Sequence, residues 1–111
     1  MLTGWRGLAV GVALAASLAP AAAADHVRAC GGLVAAGDHY RALRAYDTGC
    51  ARARSLVRAW ARKDDHDGGW VAFERPAHWR CRLFNTSSGQ LIRCKTSAGP
   101  ARATFRPGFG P

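Results

Sequence analysis

Thr48-Gly49-Cys50-Ala51-Arg52-Ala53-Arg54-Ser55-Leu56-Val57-Arg58-Ala59-Trp60 is the stretch around which the rest of the chain is organised. Cys50, Ala53, Val57 and Trp60 fall at i, i+3, i+7 and i+10, with Leu56 beside them, which makes one apolar stripe of an amphipathic helix. Thr48 is placed to cap it, because a threonine hydroxyl accepts from a first-turn N–H that has no partner inside the helix. Arg62 and Lys63 put positive charge at the far end, where the helix dipole favours it, and Asp64-Asp65-His66-Asp67-Gly68-Gly69 then ends the element as a turn or loop. Because the stripe includes Cys50, the helix turns a cysteine toward whatever lies beneath it. Arg54, Arg58 and Arg62 recur at i+4 on the other side with no carboxylate between them, a like-charge spacing that costs roughly a few tenths of a kcal/mol per pair.

What lies beneath is predicted by the regular alternation downstream. Trp79, Cys81 and Leu83 alternate with Arg80, Arg82 and Phe84, the polar run Asn85-Thr86-Ser87-Ser88-Gly89-Gln90 turns, and Leu91 to Thr96 returns, which is a β-hairpin. With the turn centred between Ser87 and Ser88, Cys81 faces Cys94 and Leu83 faces Ile92 on the face that also carries Trp79. Alternation and two tyrosines predict a strand over His39 to Tyr46. Trp70 to Phe73 reads as a short strand broken by Glu74-Arg75-Pro76-Ala77, and Ala101 to Arg106 as a closing strand with Phe105 inward.

The first 24 residues read as a secretory signal peptide: Arg6 precedes an apolar run from Leu8 to Ala19, Pro20 breaks it, and Ala22-Ala23-Ala24 supplies small residues before a cut ahead of Asp25. The run falls short of the ~20 apolar residues that a stable span needs, so no membrane span is expected after cleavage. Arg28, two positions before Cys30, excludes a lipoprotein site. Residues 25–37, rich in Ala and Gly, read as an irregular lead-in pinned by Cys30, residues 38–106 as a disulfide-stapled α+β domain with one helix on a small antiparallel sheet, and residues 107–111 as a frayed tail.

Removing 24 of 111 residues leaves one small domain of 87 with a thin core. It holds all four cysteines, Cys30, Cys50, Cys81 and Cys94, and an even number in a short exported chain is a disulfide framework. No two are close enough for the paired spacing of a zinc site. Four cysteines allow three connectivities. The local solution pairs Cys30 with Cys50 and Cys81 with Cys94; a bridge from Cys50 into the hairpin, with Cys30 taking the other hairpin cysteine, staples helix to sheet, and the buried stripe favours this second arrangement.

The formal charge is +9, or +8 without Arg6, from fourteen Arg and two Lys against seven acids. Such a surface attracts envelope polymers, acidic proteins, anionic lipid or nucleic acid, although an Arg-rich, Ala- and Gly-rich composition also arises in a high-GC genome without selection for binding. Nucleic acid is disfavoured by the export signal.

The arrangement Thr48-Gly49-Cys50-Ala51-x-Ala53-Arg54-x-x-Val57-x-x-Trp60, then Trp79-Arg80-Cys81, Arg93-Cys94 and Thr104-Phe105-Arg106, resembles a group of small exported four-cysteine proteins of actinobacteria. The resemblance covers about Leu43 to Arg106 and departs at Gly49, where the group commonly has Ser or another small polar residue. It implies an exported α+β disulfide domain and supplies no catalytic residues, cofactor or metal ligands.

Chemistry of its own is hard to find in the chain. His26, His39, His66 and His78 sit in no recognisable motif, Ser55 lies mid-helix beside Arg54, and Glu74 is the single Glu. Aligning Gly68 with the invariant glycine of a calcium loop puts Asp65, Asp67 and Glu74 at ligand positions, but Lys63 falls on the first one and Pro76 obstructs the exiting helix. Asn85-Thr86-Ser87 matches a glycosylation acceptor and reads as turn chemistry. The expectation is an exported, non-enzymatic basic domain that uses Arg54, Arg58, Arg62, Arg80 and Arg82 to dock on an anionic envelope component or an acidic protein. The alternative is an inhibitor or toxin-like effector presenting the loop Asn85 to Gln90.

Overall fold

The computed structural model describes residues 26–63, 66 and 68–109. The signal peptide, its cut at Asp25, Asp64, the acids Asp65 and Asp67 of the calcium-loop alignment, and the last two residues of the tail lie outside the described residues.

Among the described residues, six strands and one helix form a two-layer α+β fold. In chain order they are β1 (Val27–Ala35), β2 (Asp38–Tyr46), α1 (Cys50–Arg62), β3 (Val71–Ala72), β4 (Trp79–Thr86), β5 (Gly89–Thr96) and β6 (Arg102–Pro107). All pairings are antiparallel, in the order β1-β2-β6-β5-β4-β3, so the last strand sits in the middle of the sheet. The β4–β5 hairpin has the register expected from its turn, with Cys81 opposite Cys94 and Leu83 opposite Ile92.

The expected irregular lead-in is instead a nine-residue edge strand. Ala36 and Gly37 close the β1–β2 hairpin, both at positive φ (52° and 83°), the backbone of a two-residue hairpin turn whose twist matches its strands. The glycines that weaken a strand pattern are used here for geometry. Gly31 (φ 79°) sits where the register shifts, and a Cβ on Gly32 would lie 2.7 Å from the Tyr40 carbonyl oxygen, so the backbones approach closely there.

The helix begins where its stripe predicts, but Gly49 is the N-cap and gives no side-chain hydrogen bond; Thr48 stands one residue too early to serve. At the other end the Lys63 N–H donates to the Trp60 carbonyl, 3.1 Å away. His66 folds back with its ring stacked on Trp60 at 3.9 Å, and its Nε2 lies 2.9 Å from the same carbonyl. A carbonyl only accepts, so that nitrogen carries the proton.

Ala53, Leu56, Val57, Ala59 and Trp60 are the buried helix positions, and they join one core with Leu43, Ala45, Ile92, Ala103 and Phe105 from the sheet. Ala45 faces Ala103 across the β2–β6 pair, and these small side chains leave room on the inner face for the helix residues. Tyr40 packs edge-on to Phe105, and burial, with the nearby Asp38 charge second, raises its phenol above the ordinary value.

The bridges are Cys30–Cys50 and Cys81–Cys94. The favoured staple from Cys50 into the hairpin is therefore replaced by the local solution. The helix lies chiefly on β1, β2 and β6, so its first residue meets Cys30 of β1, a strand that the composition had concealed. The helix is stapled to the sheet all the same, at the edge strand. The tail is also held further than expected: the Gly108 N–H donates to the His39 carbonyl at 2.8 Å, and the Phe109 ring lies 3.9 Å from that of His39.

Candidate functional site

Strand alternation decides which residues look away from the core. On β4, Trp79 and Cys81 are buried, so Arg80, Arg82 and Phe84 face outward; on β5, Ile92 and Cys94 are buried, so Leu91, Arg93 and Lys95 do. The same parity turns Arg102, Thr104 and Arg106 of β6 outward, and Arg41, Arg44 and Tyr46 of β2. A bulge at Ala42 (φ 53°) restores the phase between Arg41 and Arg44.

The register assembles these positions into rows across the sheet. Arg80, Lys95 and Arg102 stand opposite one another and run on to Tyr46. In the next row Arg82 faces Arg93, with Thr104 and then Arg44 beyond, and Arg41 faces Arg106 in a third. Seven arginines and one lysine thus share one sheet face, and β4, β5 and β6 contain no acidic residue. Of the carboxylates among the described residues, Asp38 opens β2, Asp47 accepts from the His26 N–H, and Glu74 lies in the β3–β4 connection.

Like charges directly opposite on neighbouring strands destabilise a sheet. Aromatic rings inserted between them offset that cost. Arg80 and Lys95 share the Trp70 ring, at 5.9 and 4.3 Å from its centroid; Arg82 and Arg93 share Phe84, at 5.1 and 5.0 Å; Arg102 lies 4.5 Å from the Tyr46 ring. Trp70 and Phe84 meet edge to face at 6.0 Å. A guanidinium can rest on a ring and still grip an oxyanion with two parallel donors, whereas the Lys95 ammonium acts as a point charge. Arg106 also donates from Nη1 to the Gln90 carbonyl at 3.1 Å, and the Arg82 Nε is shielded from solvent without a hydrogen-bond partner.

The five arginines expected to form one docking surface are not together. Arg80 and Arg82 belong to the outer sheet face, whereas α1 packs on the inner face and carries Arg54, Arg58 and Arg62 on the opposite side of the molecule. There Arg58 and Arg62 line a groove of about 220 Å³ with Arg52, Ser55 and Arg75, and Arg54 is not part of it. Sequence reading missed Arg41, Arg44, Arg93, Lys95, Arg102 and Arg106, and the rings of Tyr46, Trp70 and Phe84. For Arg93, Lys95 and Phe84 the signal was the same alternation that placed Cys81 and Cys94 inward; the others join the face through the bulge at Ala42, the insertion of β6 and the chain entering β3.

All four cysteines are bridged, which leaves none as a thiolate nucleophile. Among the described residues no three His, Cys, Asp or Glu side chains gather at metal-binding distance. His26, His39, His66 and His78 stand before β1, on β2, over Trp60 and before β4. The hairpin tip offered as a presenting loop is narrow: Thr86 already pairs with Gly89, and the Thr86 hydroxyl donates to the Gly89 carbonyl at 2.6 Å.

Fold and face together define a small disulfide-stapled α+β domain with a cationic, ring-buffered outer sheet. No family model, no curated protein and no solved structure matches the chain.

Proposed function

We propose that the chain is an exported, non-catalytic binding domain that docks through its outer sheet face on an anionic component of the cell envelope or on an acidic protein. The observation that carries this reading is the cation rows with their shared rings. The fold tolerates like charges stacked opposite one another across three strands, an arrangement that an anionic partner relieves. Composition alone scatters arginines over a surface; it does not clear acids from three consecutive strands and give both opposed cation pairs of the β4–β5 hairpin a shared ring. Two bridges suit an oxidising compartment outside the cytoplasm.

The test is calorimetric titration with inorganic polyphosphate at two salt concentrations. Six or more cation–phosphate contacts predict that affinity falls about a thousandfold between about 50 and about 200 mM salt, as counterion release dictates. Absence of binding at the lower salt, or affinity unchanged at the higher, rejects the reading.

A further inference from the structure

We infer that the anionic partner is the surface of a phospholipid bilayer, with the sheet lying flat in the headgroup layer; this rests on the binding reading above and names its target. The cations occupy the four inner strands β2, β6, β5 and β4. The large apolar residues that remain exposed, Val27 (53%), Val34 (57%), Trp70 (37%) and Phe109 (76%), all lie around them. Val27 and Val34 are on the edge strand β1, opposite the outward Tyr46 and His39. Trp70 precedes β3 at the other edge and leans on Phe84, and Phe109 follows β6 with its ring against His39. The outer face therefore has a cationic centre and an apolar rim.

That order separates the candidates. A protein interface has the reverse anatomy, an apolar centre excluded from water by a polar rim. A soluble polyanion engages the centre and leaves the rim in water. An anionic bilayer answers both parts: lipid phosphates meet the arginine rows, and the rim side chains enter the boundary between headgroups and acyl chains, the depth that tryptophan and amphipathic arginine stems favour. Contact is peripheral, since no helix among the described residues is long and apolar enough to cross a membrane, and the sheet is open, with free edges at β1 and β3.

The experiment compares sedimentation with vesicles of about 30% phosphatidylglycerol in phosphatidylcholine, with pure phosphatidylcholine vesicles, and titration with polyphosphate, at low salt. The protein should bind the anionic vesicles, bind the neutral ones at least about tenfold more weakly, and show a blue-shifted Trp70 emission on the anionic ones that Trp70→Phe removes. The combined variant Val27→Ser, Val34→Ser, Phe109→Ser should lose at least about tenfold in vesicle affinity while its polyphosphate affinity stays within about twofold. These three side chains are exposed, so circular dichroism should match the parent. Binding to polyphosphate with no binding to vesicles, vesicle affinity indifferent to the rim variant, or an unshifted Trp70 emission overturns the bilayer and leaves a soluble polyanion or an acidic protein. Binding to neither overturns this inference and the proposed function together.

Discussion

Replacing Cys30 and Cys50 together by alanine is expected to lower the unfolding free energy by about 3 kcal/mol, the loop-closure entropy of a bridge. The partners are 20 residues apart. The bridge matters here for a local reason as well. It ties an edge strand to the first turn of α1, and that turn has no capping side chain, because Gly49 occupies the position. Cys81 and Cys94, separated by 13 residues and buried on the inner face, should contribute a similar amount. Small domains have about 5–15 kcal/mol in total. Replacing all four cysteines should therefore leave no cooperative unfolding transition at about 37 °C. Urea unfolding followed by tryptophan emission reads both effects, and a double-alanine variant with an unshifted midpoint would show that the helix holds β1 without the covalent tie.

The largest effect on binding should come from reversing charge on the sheet. The combined variant Arg80→Glu, Arg82→Glu, Arg102→Glu converts two cross-strand rows into alternating charges, with one new carboxylate opposite Lys95 on β4, another opposite Arg93, and a third opposite Lys95 on β6. Folding stability should therefore hold or rise slightly. Polyphosphate affinity should fall by more than about a hundredfold, because three oxyanion contacts become repulsions. The matched control is Arg54→Glu, Arg58→Glu and Arg62→Glu, which changes net charge by the same amount on the opposite side of the molecule. Its loss should be at least about tenfold smaller, reflecting long-range attraction alone. Equal losses would mean that overall charge, not the face, governs binding.

The contrast between those two variants reflects what the chain declares locally and what it does not. The helix and the β4–β5 hairpin were legible because their periods are strong: the stripe from Cys50 to Trp60, and the alternation of Trp79, Cys81 and Leu83 with charged partners. Phe105 as an inward position followed from the same logic. β1 was not legible, because its glycines serve a bulge and a close backbone approach, and its turn, Ala36-Gly37, lacks the Asn or Asp that usually marks such a hairpin. Missing β1 also tipped the choice between the two disulfide arrangements away from Cys30–Cys50, the one that forms.

The site was half legible for a different reason. Arg80, Arg82, Arg93 and Lys95 were already opposed in the expected hairpin register. What no local pattern announces is that the closing strand β6 inserts between β2 and β5, bringing Arg102 beside Lys95 and Arg44 within the same row as Arg93. That pairing is non-local, and it alone fixes which cations share a face with the hairpin and which are left with the helix behind it. A ridge at i+4 is conspicuous in a sequence; a face assembled from four strands is not.

The most direct test of the central claim is a map of backbone and Trp70 indole N–H resonances during titration with polyphosphate. The shifts should concentrate on β4, β5, β6, the outward half of β2 and Trp70, and spare Arg52 to Arg62. Shifts concentrated on α1 and Arg75, with the sheet unperturbed, would contradict the account and return binding to the helix groove.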